Sequence, residues 1–361
     1  MHHVLLLLGC AVVIYLCCEW FVNAVEWLGR QLAVGPLAVG TVLAAIGTAL
    51  PESVVTLVAV TVGGGSNTSV GHDIGIGAAL GGPLVVGTIS YAAVGATLLL
   101  RRVHARNAVA RALGNRPDGP GPARSPKIPF AAGVDPGEIV GVDARRLARD
   151  QTWFLSIFLV KVLLGLVAFA FKPWLGVLFF AVYALYFWRE MQADGDTQQE
   201  ELEPLRLQPG RAVPSRWAVI TQTVVTLSLI FLASQLFVRQ LEWAGPALGL
   251  SPVVVALLLS PVATELPETM NALIWVRQGK TQLAMANISG SMMIQATIPS
   301  GLGLLFTPWH FTEPLLLAGV VTMLAVGYLL VQLRTNTLSA GRLTATALFY
   351  SGFAAVLAAL G

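Results

Sequence analysis

The sequence predicts an all-α, polytopic membrane protein with about ten transmembrane helices in two inverted five-helix repeats. Composition is the first reason: of the 361 residues, 55% are hydrophobic and only 11% are charged, with a mean hydropathy of +0.73. A soluble domain carries about 25% charged residues, because its surface faces water. Most of this surface therefore faces an apolar medium. Ten apolar stretches and an internal repeat complete the prediction.

The apolar stretches have the length of membrane spans, which need about 20 residues each. The first, residues 4–24, follows Met1-His2-His3 without a Lys or Arg, so we interpret it as a span, with a cleaved signal peptide as the alternative. Only Lys172-Pro173 separates the fourth stretch from the fifth, which predicts a tight helical hairpin. The ten predicted spans are 4–24, 37–62, 72–100, 152–171, 174–189, 217–238, 251–276, 282–306, 314–333 and 343–360.

Two hydrophilic stretches interrupt this pattern. Residues 101–151 carry ten Lys or Arg and a run rich in Pro and Gly that cannot form a continuous helix. Residues 190–216 are acidic and rich in Gln and Pro, and we interpret them as a cytoplasmic linker between two halves. We expect loose packing for much of both stretches.

The distribution of basic residues predicts the orientation. With ten spans, 19 of the 22 Lys and Arg residues fall in one set of loops and only Lys172 and Arg239 in the other, while Lys161 lies inside the fourth span. The positive-inside rule then puts both termini outside the cell and the long loops in the cytoplasm. This predicts a multi-pass protein of the cell membrane.

An internal repeat relates the two halves. The stretch from Glu26 aligns without a gap to the stretch from Glu242, at an offset of 216 residues. A weaker match continues further on at an offset of 209 residues, where Gly81 and Thr88 fall over Gly290 and Thr297. We assign residues 1–189 to the first repeat, 190–216 to the linker and 217–361 to the second repeat. Five spans in each repeat place the two copies in the membrane with opposite orientations, which is typical of secondary transporters with a binding site at the midplane.

The densest part of the repeat contains a Pro-Glu pair in a span of each half. Glu52 follows Pro51 in the second span, and Glu268 follows Pro267 in the seventh. A carboxylate at that depth is unfavourable by at least ~2.5 kcal/mol. Each proline also frees a backbone carbonyl, which is tolerated only where it lines a cavity or binds a ligand.

The chemistry of these positions predicts a calcium site. Thr48 precedes Glu52 by one helical turn and Thr264 precedes Glu268 likewise, so each threonine shares a helix face with its glutamate. Ca²⁺ takes six to eight oxygen ligands of this kind. Zn²⁺ or Cu⁺ would prefer imidazole or thiolate ligands, which are not placed here.

These residues resemble a known family. The motifs Thr48 to Glu52 and Thr264 to Glu268 resemble the paired G-T-S-x-P-E motifs of the sodium/calcium exchanger family, within the calcium:cation antiporters. The resemblance implies an inverted five-plus-five fold with both termini outside. It also implies that the two glutamates and two threonines bind Ca²⁺ and its counter-ion alternately.

The chain departs from that family pattern at several positions. The motif serine is replaced by Ala49 in the first repeat and by Glu265 in the second. The polar triplets of the third and eighth spans are here Gly81-Gly82-Pro83 and Gly290-Ser291-Met292, so amide and hydroxyl oxygens remain mostly on one half. The oxygens that remain are those of Asn287, Ser289, Ser291 and Gln295.

Glu265 adds a third carboxylate close to Glu268, and crowded carboxylates raise one another's proton affinity. We expect Glu265 to replace a missing sodium ligand or to carry a proton during exchange. The alternative interpretation is that Glu265 pairs with Lys161, the lysine inside the fourth span.

The function predicted from these features is antiport of Ca²⁺ against Na⁺, with no resident cofactor and no enzymatic activity. We predict the metal ligands to be Glu52, Glu268, Thr48, Thr264, Glu265, Asn287 and Ser291. Exchange of Ca²⁺ for H⁺ is the nearest alternative, and a passive cation channel or a membrane-embedded enzyme are alternatives from other classes. The expected partners are Ca²⁺, a monovalent cation and the lipid bilayer, with no nucleic acid and no obligatory protein partner.

Overall fold

The computed structural model describes residues 2–49, 53, 56–57, 68–114, 142–192, 202–247 and 255–360. The secondary-structure elements among these residues are all helices, with no β-strand among them, and we number the helices in chain order. The helices of the first half are α1 His2–Gln31, α2 Pro36–Ala38 continuing through Val39–Ala44 to residue 49, α3 Thr68–Val85 continuing through Val86–Ser90 and Tyr91–Gly114, α4 Ala144–Leu166, and α5 Leu175–Gln192.

The second half repeats this order. Its helices are α6 Arg216–Ala247, α7 Val255–Leu259, Ser260–Thr264 and Leu266–Arg277, α8 Thr281–Phe306, α9 Glu313–Arg334, and α10 Ala340–Thr344 with Ala347–Leu360.

Each of the ten predicted spans contains a helix, so the predicted fold class is confirmed. Among the described residues, five segments are long and apolar enough to cross a membrane by themselves: Leu5–Gln31, Ala79–His104, Arg216–Gln240, Glu313–Arg334 and Ala340–Ala359. Of the predicted spans 37–62 and 251–276 the structure describes only a part.

Several helix ends differ from the predicted span ends. Helix α3 continues to Gly114, beyond the predicted end at residue 100. Helix α4 already begins at Ala144, where the side chain of Asp143 accepts hydrogen bonds from the amides of Arg145 and Arg146. Hydropathy marks where the membrane ends, whereas arginine and alanine continue a helix well into water. Part of the basic stretch 101–151 is therefore helical.

The link between α4 and α5 is also longer than predicted. Helix α4 ends at Leu166, and a 3₁₀ turn over Lys172–Trp174 leads into α5.

The second half of the linker packs against α1, contrary to the expected loose packing. Leu205 is fully buried in a cluster with Ala24 and Trp27. The indole of Trp27 donates to the carbonyl of Glu203 at 2.9 Å. An apolar anchor at Leu205 and these polar contacts give residues 202–215 a defined position, although their composition alone favours a flexible linker.

Local helix geometry follows the repeat. Helix α2 contains a π-helical segment at Val39–Ala44, and α7 contains one at Val255–Leu259. The two segments begin 216 residues apart, which is the offset of the sequence repeat. Such π-helical insertions occur frequently at functional sites.

Packing between the halves follows the same symmetry. Helix α2 packs on α8, and α7 packs on α3, so each motif helix contacts the helix that follows the motif in the other half. A Cβ atom on Gly290 would lie 2.1 Å from the carbonyl oxygen of Thr41 in α2, and a Cβ atom on Gly81 would lie 2.5 Å from Pro261 in α7. The two glycines that align in the repeat thus permit the same close approach.

Candidate functional site

The first Pro-Glu motif is described only as far as Ala49, the residue after its threonine. Leu50, Pro51 and Glu52 lie outside the described residues. Thr48 is buried near the end of the described part of α2, and its hydroxyl donates to the carbonyl of Ala44 at 3.1 Å. On the same helix, Ala49 packs against Ile294 of α8. The described end of α2 therefore lies beside α8.

The second motif breaks helix α7. Glu265 lies between Ser260–Thr264 and Leu266–Arg277, with φ −85° and ψ 3°. Pro267 lacks an amide hydrogen, so the helix cannot continue through this position without losing a hydrogen bond. The sequence predicted this break.

The break puts both carboxylates of the second motif in the interior. Glu265 and Glu268 are each 0% exposed. Glu268 lies in the first turn of the segment Leu266–Arg277, where the free amide groups of a helix N-terminus favour negative charge. The seventh span therefore holds two buried carboxylates three residues apart in sequence.

Helix α8 presents a polar face to this break. Asn287, Ser291 and Gln295 follow one another at intervals of four residues, so they share a face, and all three are buried. The Gln295 amide donates to both carboxylate oxygens of Glu265 at 2.6 Å. The Asn287 amide donates to the backbone carbonyl of Glu268 at 3.3 Å. These bonds join α8 to both glutamates of α7.

Two oxygens on this face have no hydrogen-bond partner among the described residues: Oδ1 of Asn287 and Oγ of Ser291. Buried polar atoms are nearly always hydrogen-bonded in proteins, and an exception calls for an explanation such as the binding of an ion. Oxygen atoms of amides and hydroxyls are suitable ligands for Ca²⁺.

Thr264 lies at the end of the segment before the break. Its hydroxyl donates to the carbonyl of Pro261 at 3.2 Å, in the same way as Thr48 donates within α2. A hydroxyl that donates to its own helix keeps its oxygen lone pairs for another ligand.

In the described part of the chain, no group of three or more His, Cys, Asp and Glu side chains is close enough to hold a metal ion.

Helix α3 lies next to the site, together with α7 and α8. A Cβ atom on Gly82 would lie 2.7 Å from Oε1 of Glu265 and 3.2 Å from the Gln295 amide. The glycine that replaces a polar residue of the family pattern therefore provides the space in which Glu265 and Gln295 meet.

Lys161, the alternative partner predicted for Glu265, has other contacts in the structure. The ammonium of Lys161 donates to the carbonyl of Ala79 at 2.7 Å and lies 4.4 Å from the ring centroid of Phe158. Lys161 and Glu265 are both described, and they form no ion pair. The interpretation that Glu265 pairs with Lys161 is therefore wrong in this structure.

Sequence reasoning missed one buried polar residue near Glu268 in the same helix. Asn271 is 0% exposed and lies three residues after Glu268 in the same helix. Neither its Nδ2 nor its Oδ1 has a hydrogen-bond partner among the residues that the structure describes. An asparagine one turn after a motif glutamate was the available signal, because it shares the helix face of the carboxylate.

The chain is similar to known membrane proteins. A model of the sodium/calcium exchanger protein family matches residues 2–113 and 219–359. Inner membrane protein YrbG of Escherichia coli (strain K12) is 25% identical over 304 residues, 84% of this chain and 79% of that protein. CaxA of Alkalimonas amylolytica, a proposed antiporter, is 24% identical over 292 residues, 80% of this chain and 76% of that protein.

Solved structures of the sodium-calcium exchanger NCX_Mj share the fold. The structure soaked with 2.5 mM Na⁺ and 10 mM Sr²⁺ superposes with a TM-score of 0.68 at 17% identity and covers 96% of both chains. The structure soaked with 100 mM Na⁺ and 10 mM Sr²⁺ gives a TM-score of 0.67 at 18% identity, over 99% of this chain and 97% of that one. At this level of identity the likeness shows the fold alone.

Proposed function

Since the chain belongs to the sodium/calcium exchanger family, we propose that it is a secondary active antiporter that exchanges Ca²⁺ for Na⁺ by alternating access. The observation that carries this proposal is the break in α7, which holds Glu265 and Glu268 in the interior beside the polar face of α8.

The proposed calcium ligands are oxygen atoms from both repeats. They comprise the residues predicted from the sequence, namely Glu52, Glu268, Thr48, Thr264, Glu265, Asn287 and Ser291. The unpartnered oxygens of Asn287 and Ser291 support this set, because a stripped Ca²⁺ ion needs six to eight oxygens at about 2.3–2.6 Å.

Coupling follows from the use of shared carboxylates. A site with several buried negative charges is too unfavourable to cross the membrane empty. Ca²⁺ neutralises these charges on the way in one direction, and monovalent cations neutralise them on the return. Because both kinds of ion need the same oxygens, one displaces the other and the fluxes are coupled.

Exchange of Ca²⁺ for H⁺ is the second candidate, with Glu265 as the proton carrier. The observation in its favour is that Glu265 is bound by the Gln295 amide, not by Lys161. A glutamine side chain both donates and accepts hydrogen bonds, so it can satisfy Glu265 in either protonation state.

Uptake of radioactive Ca²⁺ into vesicles reconstituted with the full chain tests both candidates. We expect saturable uptake driven by an outward Na⁺ gradient, and loss of uptake in Glu268→Gln. If a pH gradient drives uptake and Glu265→Gln abolishes that dependence, the second candidate replaces the first. Flux that does not saturate and needs no counter-ion would identify a passive channel and contradict both.

The orientation belongs to the same proposal: both termini outside and the long loops in the cytoplasm. The contacts of the basic helix ends support it. Arg101 donates to the carbonyl of Val276, and Lys280 pairs with Glu26 at 2.6 Å, so ends predicted to lie on the cytoplasmic side are neighbours.

A further inference from the structure

A cavity of about 440 Å³ lies between the start of α4 and the end of α9. Two of its lining residues mark span boundaries: Thr152 is the first residue of the fourth predicted span, and Leu333 is the last residue of the ninth. The rest of the lining belongs to the hydrophilic side of these boundaries. The cavity therefore lies where the two helices leave the predicted membrane, on the side of the long loops.

Three arginines line this cavity, and no Asp or Glu is among its described lining residues. Arg149 is held by Glu190, with 3.2 Å between Nη2 and Oε1. Arg334 donates to the hydroxyl of Thr152 at 3.2 Å. Within the part of the chain that the structure describes, neither Arg145 nor Arg334 forms an ion pair. The cavity thus has a positive charge that the described residues do not neutralise.

The stability of the helices does not explain this charge. Arg334 ends α9, where a cation is favourable because the C-terminus of a helix has a partial negative charge. Arg145 lies in the first turn of α4, where the partial positive charge of the N-terminus makes a cation unfavourable. An anion bound in the cavity would offset both the charge of Arg145 and that of the helix end.

Beyond the cavity, both helices expose apolar side chains along the predicted membrane. On α4, the face of Thr152 continues at helical spacing to Leu159 and Leu163, and on α9 the face of Arg334 continues to Val331. These three apolar side chains are 47%, 51% and 56% exposed, respectively. A phospholipid has the same order of chemistry, with a charged phosphate at the membrane surface and apolar acyl chains below it.

We propose that this cavity binds the headgroup of an anionic phospholipid, with the phosphate between Arg145 and Arg334 and the acyl chains along the exposed faces of α4 and α9. A guanidinium group can donate two parallel hydrogen bonds to phosphate oxygens. Basic pockets between transmembrane helices on the cytoplasmic side suit anionic headgroups. The assignment to the cytoplasmic leaflet rests on the orientation proposed above, whereas the site itself does not depend on which ions the protein exchanges.

A lipid in this position would join two helices, because Arg145 belongs to α4 and Arg334 to α9. A ligand that binds only the folded protein raises its stability in proportion to the logarithm of ligand concentration. Binding of the lipid is therefore measurable as a rise in melting temperature.

The experiment uses the full chain in a non-ionic detergent. Its melting temperature is measured with increasing phosphatidylglycerol, and separately with phosphatidylcholine of the same acyl chains. Native mass spectrometry counts the lipid molecules that stay bound. The difference between the two lipids is taken within each protein, so that a general loss of stability in a variant cancels.

The test variant combines Arg145→Gln with Arg334→Gln, which removes both charges and keeps polar side chains of similar reach. The matched control combines Arg211→Gln with Arg216→Gln. Both control arginines are exposed on the same predicted side of the membrane, and neither lines the cavity. The two variants therefore lose the same net charge, and only the first loses it at the cavity.

We expect phosphatidylglycerol to stabilise the wild-type protein more than phosphatidylcholine does. Its half-saturating concentration should rise by about tenfold or more in the test variant, since two charge-assisted contacts are lost, and stay unchanged in the control. An equal rise in both variants would mean a general attraction of the basic surface and would overturn the site. Equal stabilisation of the wild type by the two lipids would also overturn it.

A third arm distinguishes a lipid from a soluble phosphate. Glycerol 3-phosphate has the phosphate without the acyl chains, and we expect it to give no stabilisation at the concentrations at which phosphatidylglycerol saturates. If it stabilises the protein as strongly as the lipid, the cavity is a site for free phosphate esters, and the assignment to a phospholipid is wrong.

Discussion

The position of Glu265 in this site depends on two other residues, Gln295 and Gly82. The Gln295 amide holds both oxygens of Glu265, and both side chains occupy the space left by the absent side chain of Gly82. The sequence alone shows an extra carboxylate at 265 and a missing polar group at 82 as two separate departures. In the structure they are one change, because the carboxylate from α7 fills the space that a side chain on α3 would take.

We predict that Gly82→Ala impairs Ca²⁺ transport by moving Glu265. The added Cβ atom would lie 2.7 Å from Oε1 of Glu265, closer than real Cβ contacts allow. Overpacking of this kind typically costs about 1–3 kcal/mol. We therefore expect the Ca²⁺ concentration for half-maximal uptake to rise by about tenfold or more.

Gly77→Ala is the matched control for this prediction. Gly77 lies in the same helix, and a Cβ atom there would have no neighbouring atom within 4 Å. Equal effects of the two substitutions would mean that a general change in α3, not contact with Glu265, determines the result.

At the scale of helices, prediction succeeded where one residue type dictates the geometry and failed where packing does. Pro267 marked the break in α7 because proline cannot donate a backbone hydrogen bond. The π-helical segments of α2 and α7 have no comparable local signal. The position of residues 202–215 depends on a pocket for Leu205 on α1, and such a pocket exists only after the helices have assembled. The polar face of α8 was visible as spacing, whereas its direction towards α7 was not.

The start of α4 and the end of α5 form a charged cluster that holds the start of α2. Glu190 pairs with Arg146 and Arg149, and it accepts a hydrogen bond from Thr41 at 3.3 Å. Asp150 is buried beside this cluster, just before the fourth predicted span begins. Burial, reinforced by the charge of Glu190 and only partly offset by the two arginines, raises the pKa of Asp150 to about 7.

We predict that Asp150 makes the protein less stable as pH rises. Between about pH 4 and 7 the folded protein keeps a proton on Asp150 that the unfolded chain has already lost. The free energy of unfolding therefore falls as pH increases through this window, by up to about 1.4 kcal/mol per pH unit, and levels off above it. Thermal unfolding in detergent measured from pH 5 to 8 should show this decline.

The control for this prediction is Asp150→Asn, which cannot ionise and should show a flatter dependence of the melting temperature on pH. If both proteins lose stability to the same extent, another group is responsible for the pH dependence.

At the scale of the whole molecule, the repeat in the sequence accounts for the way in which the helices pack. The two motif helices, which align at an offset of 216 residues, each pack against a helix of the other half: α2 packs on α8, and α7 packs on α3. Gly81 and Gly290 align because each allows a helix of the other half to approach closely. The repeat predicted a binding site at the midplane, but not which helices of the two halves pack together. It could not predict the asymmetry of the site, since Glu265 and Gln295 have no counterparts of the same type at the equivalent positions.

The same architecture makes the sidedness of the membrane protein testable. We predict that His310 lies outside the cell and Ala212 in the cytoplasm, because the two residues are in loops of opposite sets, and 19 of the 22 basic residues belong to the set of Ala212. Both residues are exposed. In a background with Cys10, Cys17 and Cys18 replaced by alanine, His310→Cys should react with a membrane-impermeant maleimide on intact cells. Ala212→Cys should react only after permeabilisation, and the reverse pattern would invert the proposed orientation and, with it, the side from which each ion enters.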